Sequence, residues 1–226
     1  MNIAHYGTIL LTAGVMYAAE GAAERLNTAA DVLNEVMSAP DKGIPHDLLE
    51  KAQCIVIVPG LKKGAFIVGG KFGKGFMSCR QASGRGWSAP AGIRVEGGSF
   101  GFQIGGSETD AVMLVMNGRG AEKLMSSKFT LGADASVAAG PVGRTSSADT
   151  DAKMQAEILT YSRARGVFAG VALDGATLRP DEDSNAELYG HKIASSKEIV
   201  MGSTAPPAAA SRLMDELNGF SRSKER

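Results

Sequence analysis

CIVIVPGLKKGAFIVGGKFGKGFMSCR, residues 54–80, decides the fold. Cys54, Ile55, Val56, Ile57 and Val58 form an unbroken apolar run that stops at Pro59-Gly60. Such a run predicts a strand covered on both faces. Residues 65–70 and 73–80 mix glycine with large apolar groups. They read as two more strands, a hairpin or bent pair separated at Lys71-Phe72.

The same stretch lies in a block of one charge sign. Lys51, Lys62, Lys63, Lys71, Lys74, Arg80, Arg85 and Arg94 follow one another with no acid between them, although the chain balances 24 basic against 24 acidic residues. A locally cationic, folded surface suits an anionic partner such as a lipid headgroup, a phosphate or an acidic protein. The competing reading is a solvated face whose balancing acids come from elsewhere in the fold.

Outward from this block, residues 20–39 read as an amphipathic helix. Ala23, Leu26, Ala30, Leu33 and Met37 recur at helical spacing, and Pro40 ends the run. Pro45 opens a short helix through Lys51. Downstream, residues 93–95 and 99–107 continue the strand series, residues 111–116 predict a central strand, and residues 120–127 one or two helical turns. Residues 129–137 alternate apolar and polar, which predicts a strand with one wet face. Residues 155–163 and 166–173 are two further strands, and residues 181–189 and 195–200 are helical. Residues 202–210 form a linker, and Leu213, Met214, Leu217 and Phe220 make the apolar edge of a last short helix.

The sum is an α+β fold: a strongly bent, mainly antiparallel sheet or barrel-like core of about eight strands, with helices at the N- and C-terminal ends. Residues 20–201 form the main domain, and residues 202–226 the linker and C-terminal helix. Residues 1–19 hold the apolar run of residues 7–19, which is either a signal-peptide core followed by the small residues Ala18, Ala19, Gly21 and Ala22, or an apolar helix that docks on the core or lies in a membrane interface. Export to the periplasm or envelope is the preferred reading, and peripheral attachment to a cytoplasmic membrane the alternative. Cys54 and Cys79 form one bridge if the compartment is oxidising, or remain two buried thiols, which is the reading preferred here.

Catalytic patterns are not found. His5, His46 and His191 have no metal-ligand spacing, so no metal or cofactor is expected. Residues 69–75, GGKFGKG, lack the register of a phosphate-binding P-loop, and Asp149, Asp151, Asp181 and Asp183 suit caps and turns. The absence of net charge and of a base-reading motif speaks against nucleic acid. The chain is read as a non-enzyme.

Four segments are more specific: Gly86-Trp87-Ser88-Ala89-Pro90; residues 97–105, GGSFGFQIG; Ala139-Gly140-Pro141-Val142-Gly143-Arg144; and residues 161–171, YSRARGVFAGV, in which Tyr161, Arg163 and Arg165 share one side of an extended strand. With Ile44-Pro45, residues 52–59, Lys63-Gly64-Ala65-Phe66, Val68-Gly69-Gly70, Thr109-Asp110, Asn185 and Tyr189-Gly190, they make the chain resemble the SYLF-domain family from about residue 29 to residue 190. The resemblance implies a lipid-binding module for phosphoinositide or other anionic headgroups. It implies actin binding and an attached SH3 domain in fungal relatives. The chain itself is similar to the stand-alone bacterial type, often exported, for which actin is not an expected partner and an envelope protein is. Arg144, Arg163 and Arg165 are the candidate bidentate phosphate contacts, and Lys62, Lys63, Lys71 and Lys74 supply less specific attraction. Trp87 and Tyr161 are candidates for membrane-interface contact or for packing. A carrier of an apolar ligand within the β-core is a further alternative.

Overall fold

The computed structural model describes residues 20–39, 43–66, 68–81, 83, 86–100, 105–143, 156–164, 167–170, 173–190 and 195–221. Two helices come first, α1 (Ala22–Ser38) and α2 (His46–Lys51). Four long strands follow: β1 (Cys54–Phe66), β2 (Val68–Cys79), β3 (Ala91–Phe100) and β4 (Gly105–Val115). Then come α3 (Gly118–Leu124), β5 (Phe129–Thr130), β6 (Val137–Ala139), β7 (Ile158–Ala164), β8 (Val167–Gly170) and β9 (Thr177–Pro180). The chain closes with α4 (Glu182–Tyr189), α5 (Ser196–Met201) and α6 (Ser211–Phe220).

The strands form one sheet in the order β5-β9-β3-β2-β1-β4-β7-β6, with β8 paired on β7. Among the described strand pairs, β6–β7 alone is parallel. The α+β class and the bent, mainly antiparallel sheet are thus as the sequence predicts.

Both faces of the sheet centre are buried, which explains the unbroken run at the start of β1. Ile55 and Ile57 join Phe76, Val112, Leu114 and Leu159 under α1, α2 and α6. Cys54, Val56 and Val58 point the other way, into a cluster with Met77, Ile93, Val95, Met113, Phe129, Leu178 and Ile199. That cluster draws on both ends of the sheet, from β9 to β7, so the sheet curls around it. The C-terminal helix belongs to the first cluster. Leu213 and Leu217 pack beside Leu26 and Leu33 of α1, and Asn34 donates to both carboxylate oxygens of Glu216 at 3.0 Å.

Four local expectations change. Pro59-Gly60 does not end the first strand. It is a bulge, where β1 carries one residue more than β2 and β4 over the same span. Gly60 takes a positive φ of 58° there, and its N–H donates to Asp110 Oδ1 at 2.9 Å. Second, β2 runs straight through Lys71-Phe72, and the β1–β2 ladder continues out to Phe66 and Val68. Gly73 and Gly75 of β2 meet close neighbours rather than bends: a Cβ on Gly73 would sit 2.8 Å from Val58 Cγ1, and one on Gly75 2.0 Å from Ile57 O. Third, residues 99–107 are divided between β3 and β4. Fourth, residues 129–137 are not one strand. Gly132, at φ 84°, turns the chain between β5 and β6, and Asp134 Oδ2 accepts the Thr130 N–H at 2.6 Å.

The cysteines also depart from the two-thiol reading. Cys54 and Cys79 are bonded, at a Cα–Cα distance of 3.9 Å. They face each other in register across β1 and β2. The Arg80 N–H donates to Gln53 O at 2.8 Å just outside them, so they occupy the closer, non-hydrogen-bonded kind of pair.

Candidate functional site

Beyond the Gly60 bulge, the outer halves of β1 to β4 extend past the packed core. Their register sets out two rows of side chains. One row runs Ser107, Lys63, Lys71, Gly97; the next runs Glu108, Lys62, Phe72, Glu96. Leu61 points into the inner cluster, so Lys63 and Lys71 lie toward that side, and Lys62 and Phe72 toward the other. A third row, Gly106, Gly64, Gly70, Gly98, adds no side chains above the backbone.

Lys63 and Lys71 are directly opposed like charges, a pairing that destabilises a sheet. Neither makes an ion pair with a described residue. Partial burial, and then the Lys71 ammonium, hold the Lys63 pKa below its ordinary value. A bound anion would offset both. Phe72 lies within reach of Lys62 and is 51% exposed, an uncommon setting for so large an apolar ring. Sequence alone predicts a turn at Phe72. The period-two spacing of Gly70, Phe72 and Lys74 is the signal that puts it on an exposed strand face.

The other predicted site residues are distributed differently. Lys74 is not with the three outer lysines. Its ammonium pairs with Asp181 Oδ2 at 3.0 Å, and that carboxylate is buried at the start of α4, where it also accepts from Ser184 Oγ at 2.6 Å. Lys74 therefore ties α4 to β2. Lys74→Gln is expected to lower stability by roughly 1–2 kcal/mol, by leaving Asp181 partly unpaired, while vesicle binding of the folded variant stays unchanged; denaturant titration and co-sedimentation check the two halves. Along the same line Arg94 and Arg179 flank Glu96 at 3.1 and 3.5 Å, so the two guanidinium groups share one carboxylate.

Arg163 is a clasp within the fold. Its Nε and Nη2 donate to Asp110 Oδ2 at 2.7 and 2.6 Å, and Nη1 meets Glu35 of α1. Glu157 faces Lys123 Nζ at 3.7 Å, and Asp149 and Asp151 lie outside the described residues. Burial pushes the Asp110 carboxyl up from its ordinary value, and the Gly60 N–H opposes that. Asp110 on β4 thus joins the bulge to β7, and Arg163 carries the link on to α1. Arg163→Ala is expected to cost about 2 kcal/mol, measured as a lower denaturant midpoint with unchanged slope. Arg144 and Arg165 lie outside the described residues.

Both aromatic candidates are packed. Trp87 is buried; its N–H donates to Ser221 Oγ at 2.9 Å, and the Arg80 guanidinium stacks 4.1 Å above the ring. Arg80 also donates to Leu49 O at 3.0 Å, which removes it from the cationic surface. Tyr161 is fully buried, and burial raises its pKa. A Cβ on Gly140 would lie 2.1 Å from Tyr161 Cζ, so only glycine lets that segment cross the ring. Asn185, too, has a framework role: it accepts the Gly92 N–H at 2.7 Å and donates to Ser196 Oγ at 3.0 Å.

Among the described residues no group of three His, Cys, Asp or Glu side chains could hold a metal, and no helix is long and apolar enough to cross a membrane. The arrangement is a curled sheet with a basic strand extension at one end. A family model described as "Ysc84: Las17-binding protein actin regulator" matches residues 96–220, and the chain belongs to that family, whose domain is the SYLF domain. It is similar to SH3 domain-containing YSC84-like protein 1 of Homo sapiens (34% identity over 203 residues, 87% of this chain and 58% of the relative). The Xenopus laevis protein of the same name is 33% identical over 87% of this chain and 60% of its own length. LAS seventeen-binding protein 3 of Saccharomyces cerevisiae is 35% identical over 80% of this chain and 39% of its own length. The chain thus spans about six-tenths of the animal relatives and four-tenths of the yeast one.

Proposed function

We propose that the chain is a non-enzymatic module that attaches to anionic membrane surfaces through the outer half of the β1–β2 hairpin. The in-register pair Lys63–Lys71, without a described carboxylate partner, is the observation that carries this reading. Lys62 adds a third charge, and Phe72 offers a ring to the boundary between headgroups and acyl chains. Because the lysines lie on both faces of the ribbon, an approach by its outer end lets all three reach phosphates. Each basic side chain near such a surface contributes about 1 kcal/mol.

Co-sedimentation with vesicles tests this. Binding is expected to anionic vesicles, to weaken as salt rises through the range where the Debye length shortens, and to be absent with neutral phosphatidylcholine alone. Salt-insensitive binding to neutral vesicles would point to the apolar carrier instead. The inner cluster argues against a carrier, because Met113, Phe129, Leu131 and Leu173 are packed within the curl.

A second reading has its own support in the family description, which names Las17 binding and actin regulation. On that reading the same hairpin docks on an acidic protein surface. Binding of a purified protein partner that vesicles do not compete away would favour it.

A further inference from the structure

We propose that the chain is cut between Gly21 and Ala22 on export, and that the new α-ammonium of Ala22 pairs with Glu187. The apolar run of residues 7–19 leads into Ala19-Glu20-Gly21. Small residues at the third and first positions before a bond, after such a run, are the pattern that signal peptidases read. The bond lies two residues beyond the boundary that composition alone suggests.

The folded domain is built to receive this end. Ala22 is the first residue of α1 and is fully buried. Its backbone N lies 2.7 Å from Glu187 Oε1 on α4, and Glu187 has no other hydrogen bond or ion pair to a described residue. Hydrolysis adds water across the amide: the Gly21 acyl group leaves as a carboxylate and the Ala22 nitrogen becomes an ammonium. A neutral N–H bond to a carboxylate is thereby exchanged for a charged pair, which is the stronger kind. Positive charge at a helix N-terminus is unfavourable by itself, and Glu187 offsets it. A Cβ on Gly21 would sit 3.2 Å from Glu187 Oε1, so a larger residue before the cut is crowded in the uncut chain too.

Cleavage removes three contacts of α1: the Arg25 N–H to Gly21 O at 3.0 Å, Arg25 Nη2 to Glu20 O and Thr28 Oγ1 to Glu20 Oε1. Arg25 keeps Ser184 Oγ at 3.2 Å, so α1 stays tied to α4. The buried Cys54–Cys79 bond is an independent pointer to the same route, because such bonds persist in oxidising compartments and are rare in the cytosol.

The intact mass of the full chain, expressed in an exporting bacterial host and recovered from its envelope fraction, tests the cut. The expected mass is that of residues 22–226 less two hydrogens. Any other N-terminus, or retention of the whole chain in the cytosol, overturns the proposal. Glu187→Gln tests the receptor. A free α-amine titrates near 7.7–8.0 when unfolded, and a carboxylate neighbour raises the folded value. Its stabilising effect is therefore complete below the unfolded value and is lost as pH rises through the folded one. Arg25, Asp181 and Lys74 are the other charges at this corner. In the processed protein, Glu187→Gln should lower Tm at least about twice as much at pH 6.5 as at pH 9.5. An equal loss at both pH values removes the ammonium–carboxylate pair from the proposal.

Discussion

Vesicles rich in anionic phospholipid are expected to lose roughly 100-fold in affinity for the variant Lys62→Gln, Lys63→Gln, Lys71→Gln at low salt. The figure comes from three charges at about 1 kcal/mol each, with 1.4 kcal/mol per factor of ten. Folding should survive, since none of the three lysines holds a described acid, and relief of the Lys63–Lys71 repulsion should stabilise the hairpin by a few tenths of a kcal/mol. Phe72→Ala makes the control. It removes apolar contact instead of charge, so it should weaken binding roughly ten-fold by an amount that salt does not change. If the triple variant sediments with anionic vesicles as the parent does, the hairpin is not the attachment site.

The second large effect concerns Cys54 and Cys79. Replacing both by alanine opens a covalent loop with a sequence separation of 25. In the chain-entropy account, a loop of that size stabilises by about 3.5 kcal/mol. For a chain of this length that is about 10 °C in Tm. Both sulfurs are buried in the inner cluster, so the alanines also leave a small void that adds to the loss. Differential scanning calorimetry of the parent with and without a reducing agent, beside the double variant, checks it. A shift under about 2 °C in both comparisons would mean that the unfolded chain is already constrained in this region.

Some of this is legible in the sequence and some is not, for identifiable reasons. Helices α1, α2, α5 and α6 obey their periodicity because each lays apolar residues on the sheet or on a neighbouring helix, whereas α4 buries the polar Ser184 and Asn185. The opening of β1 is legible because both its faces are buried. The strand ends near Lys71 and at residues 99–107 are misread because glycine has two uses. At Gly73 and Gly75 it admits a close neighbour inside a regular strand; at Gly60 and Gly132 it supplies a positive φ. Composition cannot separate the two. The cationic block is real as sequence but divides in space. Arg80 turns inward to Trp87, and Lys74, Arg94 and Lys51 pair with Asp181, Glu96 and Asp47, leaving Lys62, Lys63 and Lys71 outside among the described residues. The partners of Lys74 and Arg163 lie 107 and 53 residues away, so pairing at that distance has no local signature. The family resemblance is legible throughout, because its segments supply the framework: Asn185 under Gly92, Tyr189 on Pro90 O at 2.6 Å, Gly140 over Tyr161.

The bulge at Pro59-Gly60 has a bearing on how this hairpin tolerates changes of length. Strand β1 spends five residues from Ile57 to Lys62 while β2 spends four from Phe76 to Phe72, yet Val58 and Leu61 still face the same cluster. The extra residue is absorbed without inverting the phase of the outer strand. A single insertion farther out, between Lys63 and the tip, has no such buffer in the register. It would move every later side chain to the opposite side of the ribbon or open the β1–β2 ladder. Across relatives, length variation in this hairpin should therefore concentrate at residues 59–60 or arrive in pairs.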